Sequence, residues 1–224
     1  MAEIDLDNNE FQQVLSLIKF TNNSVFMTGK AGTGKSTFLK YITEHTHKKY
    51  VVLAPTGIAA VNAGGQTLHS FFHIPLKPLL DDDREFAKSN LSKRMHYSRS
   101  FIKMLRALQL IIIDEISMVR ADIIDFVDKL LRHFCGNERQ PFAGKQILMV
   151  GDVFQLEPVV TSETREILRR DYQCFYFFGA RVFRDFALVP IELRKVYRQS
   201  DEKFIALLDR VRSGNPSAAD LATI

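Results

Sequence analysis

Apolar positions along the chain follow two spacings, one helical and one extended. Between Asp5 and Phe20, the residues Phe11, Val14, Leu15 and Ile18 recur at helical intervals behind Asp and Asn residues suited to capping. A polar link, Thr21 to Asn23, leads into a short buried strand at Ser24 to Thr28. Lys35 to His45 predicts a helix with Phe38, Leu39 and Ile42 inward, and Tyr50 to Ala54 a second strand, stopped by Pro55-Thr56-Gly57. A small-residue helix from Ile58 to about Ala63 ends at Gly64-Gly65, and Thr67 to Phe72 forms another short helical turn. From His73 to about Ser98 the pattern degrades. Pro75 and Pro78 bracket a leucine-containing stretch ahead of Asp81-Asp82-Asp83, which predicts a surface insertion outside the sheet.

Periodicity returns with a helix carrying Phe101, Ile102 and Leu105. Leu110 to Ile113 is a continuous apolar run of strand length, as expected for a parallel strand covered on both faces. Ala121 to Phe134 is amphipathic, Gln146 to Val150 is another buried strand, and Glu163 to Arg170 is helical. Leu188 to Leu193 predicts a strand and Asp201 to Val211 a final amphipathic helix. Strands that alternate with helices and end in polar residues indicate an open, doubly wound, mostly parallel α/β sheet, with ligands at the strands' carboxyl ends.

Composition narrows the class. With 224 residues, 46% hydrophobic and 25% charged, the chain makes one or two soluble globular domains. A net charge of +4 permits a polyanionic partner without requiring one. Cys135 and Cys174 lie far apart, without C-x-x-C or His spacing, and read as buried thiols in a reducing compartment. The acidic, polar N-terminus is no secretory signal and no apolar run spans a bilayer. The expectation is an intracellular protein with no membrane partner.

Candidate chemistry concentrates at the strand ends. Gly29-Lys30-Ala31-Gly32-Thr33-Gly34-Lys35-Ser36-Thr37 fits G-x-x-x-x-G-K-[ST] between a strand and a helix. That arrangement aims backbone N–H groups and a helix N-terminus at a polyphosphate. Gly29, Ala31, Gly32, Thr33, Gly34, Lys35, Ser36 and Thr37 are therefore candidate nucleotide contacts. Lys35 neutralises β- and γ-phosphates, and the Ser36 hydroxyl sits on Mg²⁺. Four apolar residues then deliver Asp114-Glu115: Asp114 as the Mg²⁺ partner, Glu115 to orient and deprotonate the water attacking the γ-phosphate. Gln155, after the strand ending at Gly151-Asp152, has an amide suited to sensing that phosphate. A GTPase would add a base-reading N-K-x-D element, and the chain contains none.

Taken together, these residues resemble superfamily-one DNA helicases of the PIF type, with the RecD group nearby. Ala54-Pro55-Thr56-Gly57-Ile58-Ala59-Ala60, Thr67-Leu68-His69-Ser70-Phe71-Phe72 and Asp114-Glu115-Ile116-Ser117-Met118 carry the likeness. So do Gly151 to Val159, Val196-Tyr197-Arg198-Gln199, and the segment Glu115 to Leu131, which is similar to the family's signature helix. The resemblance implies a RecA-like P-loop NTPase, ATP and Mg²⁺ as cofactors, and a monomeric motor moving five-prime to three-prime on single-stranded DNA. Duplexes, G-quadruplexes and RNA–DNA hybrids are its implied substrates. Pro55, Thr56, Gly57, Thr67, His69 and Phe72 are the implied DNA contacts, with core packing the alternative for at least one of Phe71 and Phe72.

By the same likeness, residues 1–72 and 99–190 form the first motor domain and 73–98 a wedge insertion. Residues 191–224 open a second motor domain and carry Arg198, which reaches the γ-phosphate. The basic half of the 73–98 insertion is a candidate contact for the phosphate backbone, with a solvated charged face as the alternative. The family's adenine-reading glutamine falls at Phe11 by spacing, which leaves the adjacent Gln12 as the candidate. Ending at Ile224, the chain by itself is expected to bind nucleotide and hydrolyse it poorly. A nucleotide-gated DNA-binding module is the rival expectation.

Overall fold

A computed structural model describes residues 5–197, 206–207, 210–211 and 214–218. Arg198 and most of the helix expected from Asp201 to Val211 lie outside the described residues. Six strands, β1 (Ser24–Gly29), β2 (Tyr50–Ala54), β3 (Gln66–Thr67), β4 (Leu110–Ile113), β5 (Gln146–Gly151) and β6 (Leu188–Leu193), form one sheet. Its order is β3-β2-β4-β5-β1-β6, and every pairing is parallel. Eight helices accompany it among the described residues: α1 (Asn9–Phe20), α2 (Lys35–His45), α3 (Gly57–Asn62), α4 (Leu68–Phe72), α5 (Lys88–Met95), α6 (Arg99–Ala107), α7 (Ala121–Cys135) and α8 (Ser162–Leu168). No helix among the described residues is long and apolar enough to cross a membrane.

The apolar run of β4 is explained by two cores, one on each face of the sheet. Ile111 and Ile113, with Ile147 and Met149 of β5, join the side chains of α4 to α7. Leu110 and Ile112, with Leu148 and Val150, point the other way onto Phe11, Ile18, Phe38 and Ile42 of α1 and α2. Period-two alternation thus feeds both layers, and each fully buried aliphatic side chain contributes about 1.5–3 kcal/mol. The N-cap expected for α1 is present: Asn8 Oδ1 accepts from Phe11 N at 3.0 Å.

Three features depart from expectation. Gln66-Thr67 is an edge strand beside β2, where the two-residue length left no periodicity to read. β6 runs to Leu193 and pairs with β1, so the first sheet continues three residues past 190. The 73–98 segment is not merely superficial, because Ile74, Leu79, Phe86, Leu91 and Met95 are buried in the core that contains α7. Its prolines and acids hide an apolar set with no regular period.

α7 also holds its neighbours through three acids spaced three residues apart. Asp122 accepts from Leu79 N, Asp125 from Arg181 N and Val182 N, and Asp128 from Phe142 N. The helix is therefore a hub for the insertion, for the 3₁₀ turn Arg181–Arg184 and for the approach to β5.

The expectation that Phe72 contacts DNA fails. Its ring is fully buried, set edge-on to Phe71, whose own ring packs against Phe101 of α6. α4 is one short turn capped by Thr67, and its inward face is consumed by the core. Phe72→Ala is expected to lower the unfolding free energy by about 3–5 kcal/mol in urea denaturation. The milder Phe72→Leu, once folded, leaves single-stranded DNA affinity unchanged; a selective loss of DNA binding in that variant contradicts this placement.

Candidate active site and nucleic-acid track

The glycine loop follows β1 and ends where α2 begins. Gly34, at φ 84°, is the left-handed N-cap of α2. A Cβ on it would press against Phe11 and Tyr197. Gly29 has φ 155°, and a Cβ there would lie 2.7 Å from the Leu193 carbonyl oxygen. Thr33 is buried and its hydroxyl donates to Lys30 O at 2.9 Å, so it shapes the loop from within. Lys35 Nζ donates to Gly29 O at 2.6 Å and to Lys30 O at 3.0 Å, which holds the ammonium at the floor of the loop.

Parallel pairing brings the other strand ends alongside. Ala31, Gly32, Gly34, Lys35, Ser36, Thr37, Glu115, Gln155 and Tyr197 line a single cavity of about 480 Å³. Ser36 also shares a neighbouring cavity of about 370 Å³ with Asp114. Asp114 is buried, and loss of hydration pushes its carboxyl up to about 6. The Glu115 N–H, which donates to Asp114 Oδ1 at 3.0 Å, and the Lys35 charge pull in the opposite direction. Glu115 adopts left-handed backbone angles (φ 49°, ψ 44°), an uncommon conformation for a non-glycine residue. Gln155 is set by the buried Asp152, whose carboxylate accepts from Phe154 N at 3.1 Å and from Gln155 Nε2 at 3.2 Å.

Gln12 does not line this cavity. Its amide donates to Leu6 O at 2.7 Å on the exposed side of α1, while the ring of Phe11 stacks on Phe38 beneath the loop. Tyr197, the neighbour of Arg198 in Val196-Tyr197-Arg198-Gln199, does reach the site. Its N–H donates to Gly32 O at 2.8 Å and its hydroxyl to Asp5 Oδ2 at 3.0 Å. An aromatic residue beside the arginine was the available signal.

A second concavity, about 180 Å³, lies beyond the ends of β2 and β4 and is lined by Pro55, Thr56, His69, Met118, Arg120 and Val159 among others. Thr56 and Thr67 spend their hydroxyls capping α3 and α4, accepting from Ala59 N and Ser70 N. Gly57 is open, with nothing near the position a Cβ would take. His69 is half-buried, and burial together with the Arg120 charge holds its imidazole below the usual histidine range. Met118, Arg120 and Val159 were not anticipated beside Thr56 and His69, since they sit outside the two motifs expected to meet DNA.

Comparison with known proteins identifies the family and the fold. A family model described as PIF1-like helicase matches residues 7–221. The chain is 34% identical over 214 residues to the ATP-dependent DNA helicase PIF1 of Candida albicans, covering 93% of this chain and 23% of that protein. The Bacteroides Pif1 helicase in complex with ADP-AlF3 and single-stranded DNA superposes with a TM-score of 0.88 at 44% identity, over 98% of this chain and 49% of that one. Pif1 helicases at forked double-stranded DNA give 0.89 at 43% identity, over 98% and 51% of the respective chains. The chain therefore spans about a quarter of the curated relative and about half of the solved chains.

The buried carboxyl of Asp114 has a stability signature. Its folded value of about 6 exceeds the ordinary 3.8, so between those limits the folded state keeps a proton that the unfolded state releases. Stability from this group is full below the lower value and is lost as pH rises through the upper one. In metal-free buffer, Asp114→Asn is expected to raise the unfolding free energy by up to about 3 kcal/mol above pH ~6 and by almost nothing near pH ~4. Urea denaturation at the two pH values checks it; an equal gain at both contradicts it.

Proposed function

The chain belongs to the PIF1-like helicase family, and from that premise we propose that it is the ATP-hydrolysing first motor domain of a DNA helicase. The observation that carries this reading is the single cavity where Lys35, Ser36, Glu115 and Gln155 meet at the ends of three parallel strands. Loop N–H groups and the start of α2 bind the phosphates of ATP, and Lys35 offsets their charge. Glu115 takes a proton from the water that attacks the γ-phosphorus; the bond to the bridging oxygen breaks and ADP leaves. Gln155 holds that water and the phosphate together, and Arg198, outside the described residues, is assigned by the family resemblance to offset charge on the γ-phosphate.

The donor set suits magnesium. Ser36 and Asp114 present hard oxygens to one cavity, which leaves the remaining positions for phosphate and water. Bound there, Mg²⁺ would neutralise charge on the β- and γ-oxygens.

Single-stranded DNA runs, in this proposal, across Pro55, Thr56, Gly57, Thr67 and His69 in the five-prime to three-prime direction. The 73–98 insertion is the wedge, and the residues after β6 open the second motor domain. Duplex forks and G-quadruplexes are the structures opened, by a monomer. Support comes from the relatives: the Bacteroides protein is solved with ADP-AlF3 and single-stranded DNA.

Glu115→Gln is expected to keep ATP affinity and lower DNA-stimulated turnover by about 10²–10⁴. Labelled-nucleotide binding and phosphate release, with and without an oligo-dT strand, measure both. Wild-type turnover in that variant, or no response of the parent chain to DNA, overturns the proposal.

A further inference from the structure

Tyr197 lines the candidate nucleotide cavity without being packed into a core. It keeps 41% of its surface exposed, and its ring lies 6.3 Å from that of Phe11, near the loose end of aromatic contact. Phe11 and Phe38, by comparison, stand 4.3 Å apart. Packing therefore does not fix this side chain; polar contacts do. Its hydroxyl donates to Asp5 Oδ2 at 3.0 Å and accepts from Asn8 Nδ2 at 3.2 Å. The same Asp5 oxygen accepts from Lys195 Nζ at 2.7 Å, and that ammonium lies 5.2 Å from the centre of the Tyr197 ring. Residues ahead of α1 thus hold residues behind β6.

The main chain carries this contact into the glycine loop. Tyr197 N–H donates to Gly32 O at 2.8 Å, and Gly32 is left-handed at φ 81°. That bond orients the peptide between Gly32 and Thr33, inside the stretch proposed to cradle the phosphates. Asn8 serves two elements at once, since its Oδ1 caps α1 at Phe11 N while its Nδ2 reaches Tyr197. The approach to α1, the glycine loop and the exit of β6 are closed into one unit at the rim of the cavity.

Resting on the nucleotide-site reading above, we propose that Asp5, with Asn8 and Lys195, is a positioning residue for nucleotide binding. The three hold Tyr197 as a wall of the cavity. Through its backbone bond to Gly32, they keep the loop shaped for phosphates before the nucleotide arrives. None of the three lines the cavity, so they act through Tyr197. Such preorganisation favours bound nucleotide and transition state alike, and therefore sets KM while leaving kcat alone.

The test measures labelled-ADP binding and ATP turnover in Asp5→Ala, Tyr197→Phe and the variant carrying both, with thermal melting to confirm folding. Each single change is expected to weaken ADP binding and raise KM about two- to fivefold, the range of an exposed polar contact, at unchanged kcat. The combination adds little to either change alone, because both remove the same contact. Tighter ADP binding in Asp5→Ala would mark the carboxylate as a repulsive charge only, and overturns the proposal. Parent-like affinity in both folded single variants, a fall in kcat at the parent's KM, or fully additive effects overturn it as well. A parent chain that binds no ADP instead refutes the nucleotide-site reading, and this inference with it.

Discussion

Parallel pairing of β4 with β5, and of β5 with β1, brings three strand ends to one level. Every group proposed for hydrolysis hangs from those ends. The glycine loop leaves β1, Asp114-Glu115 leaves β4 and Asp152 to Gln155 leaves β5, so the site is a consequence of register. A slip of one residue in β4 would exchange Ile112 and Ile113 between the two cores and turn the acid pair away from Lys35. The two hydrophobic layers therefore enforce the geometry of the candidate site as well as the fold.

Local rules are broken where this geometry has to be held. Asp114 is buried with its carboxyl held above the usual range, Glu115 is left-handed, and the buried Ser117 hydroxyl has no hydrogen-bond partner among the described residues. Each is unfavourable by itself, and all three fall within four consecutive residues after β4. Departures of this kind gather at functional sites because the surrounding structure over-determines them. By contrast, the acids of α7 are fully engaged and serve architecture: they fasten the insertion and the 3₁₀ turn at Arg181–Arg184 to the helix that follows the site.

Much of the candidate nucleotide site was legible because its demands are local. A phosphate loop needs glycine at Gly29 and Gly34 for backbone reasons, and a lysine and a hydroxyl at the start of α2. The proposed DNA track was less legible. Thr56, Thr67 and His69 were named, but Phe72 belongs to the core and Gln12 faces away from the loop. An aromatic residue in a short helix reads the same in sequence whether it meets a base or another phenylalanine.

By itself, the sequence determined the strand–loop–helix unit, the two-sided burial of Leu110 to Ile113 and the acid pair that follows, since periodicity and backbone freedom are properties of neighbouring residues. Only the tertiary structure decided that Tyr197 comes back to Gly32, that Ile74 and Phe86 share a core with α7, and that Arg120 opens onto the groove beside His69. Those outcomes depend on partners far away in the chain, and burial is settled by what packs opposite a side chain rather than by what stands next to it.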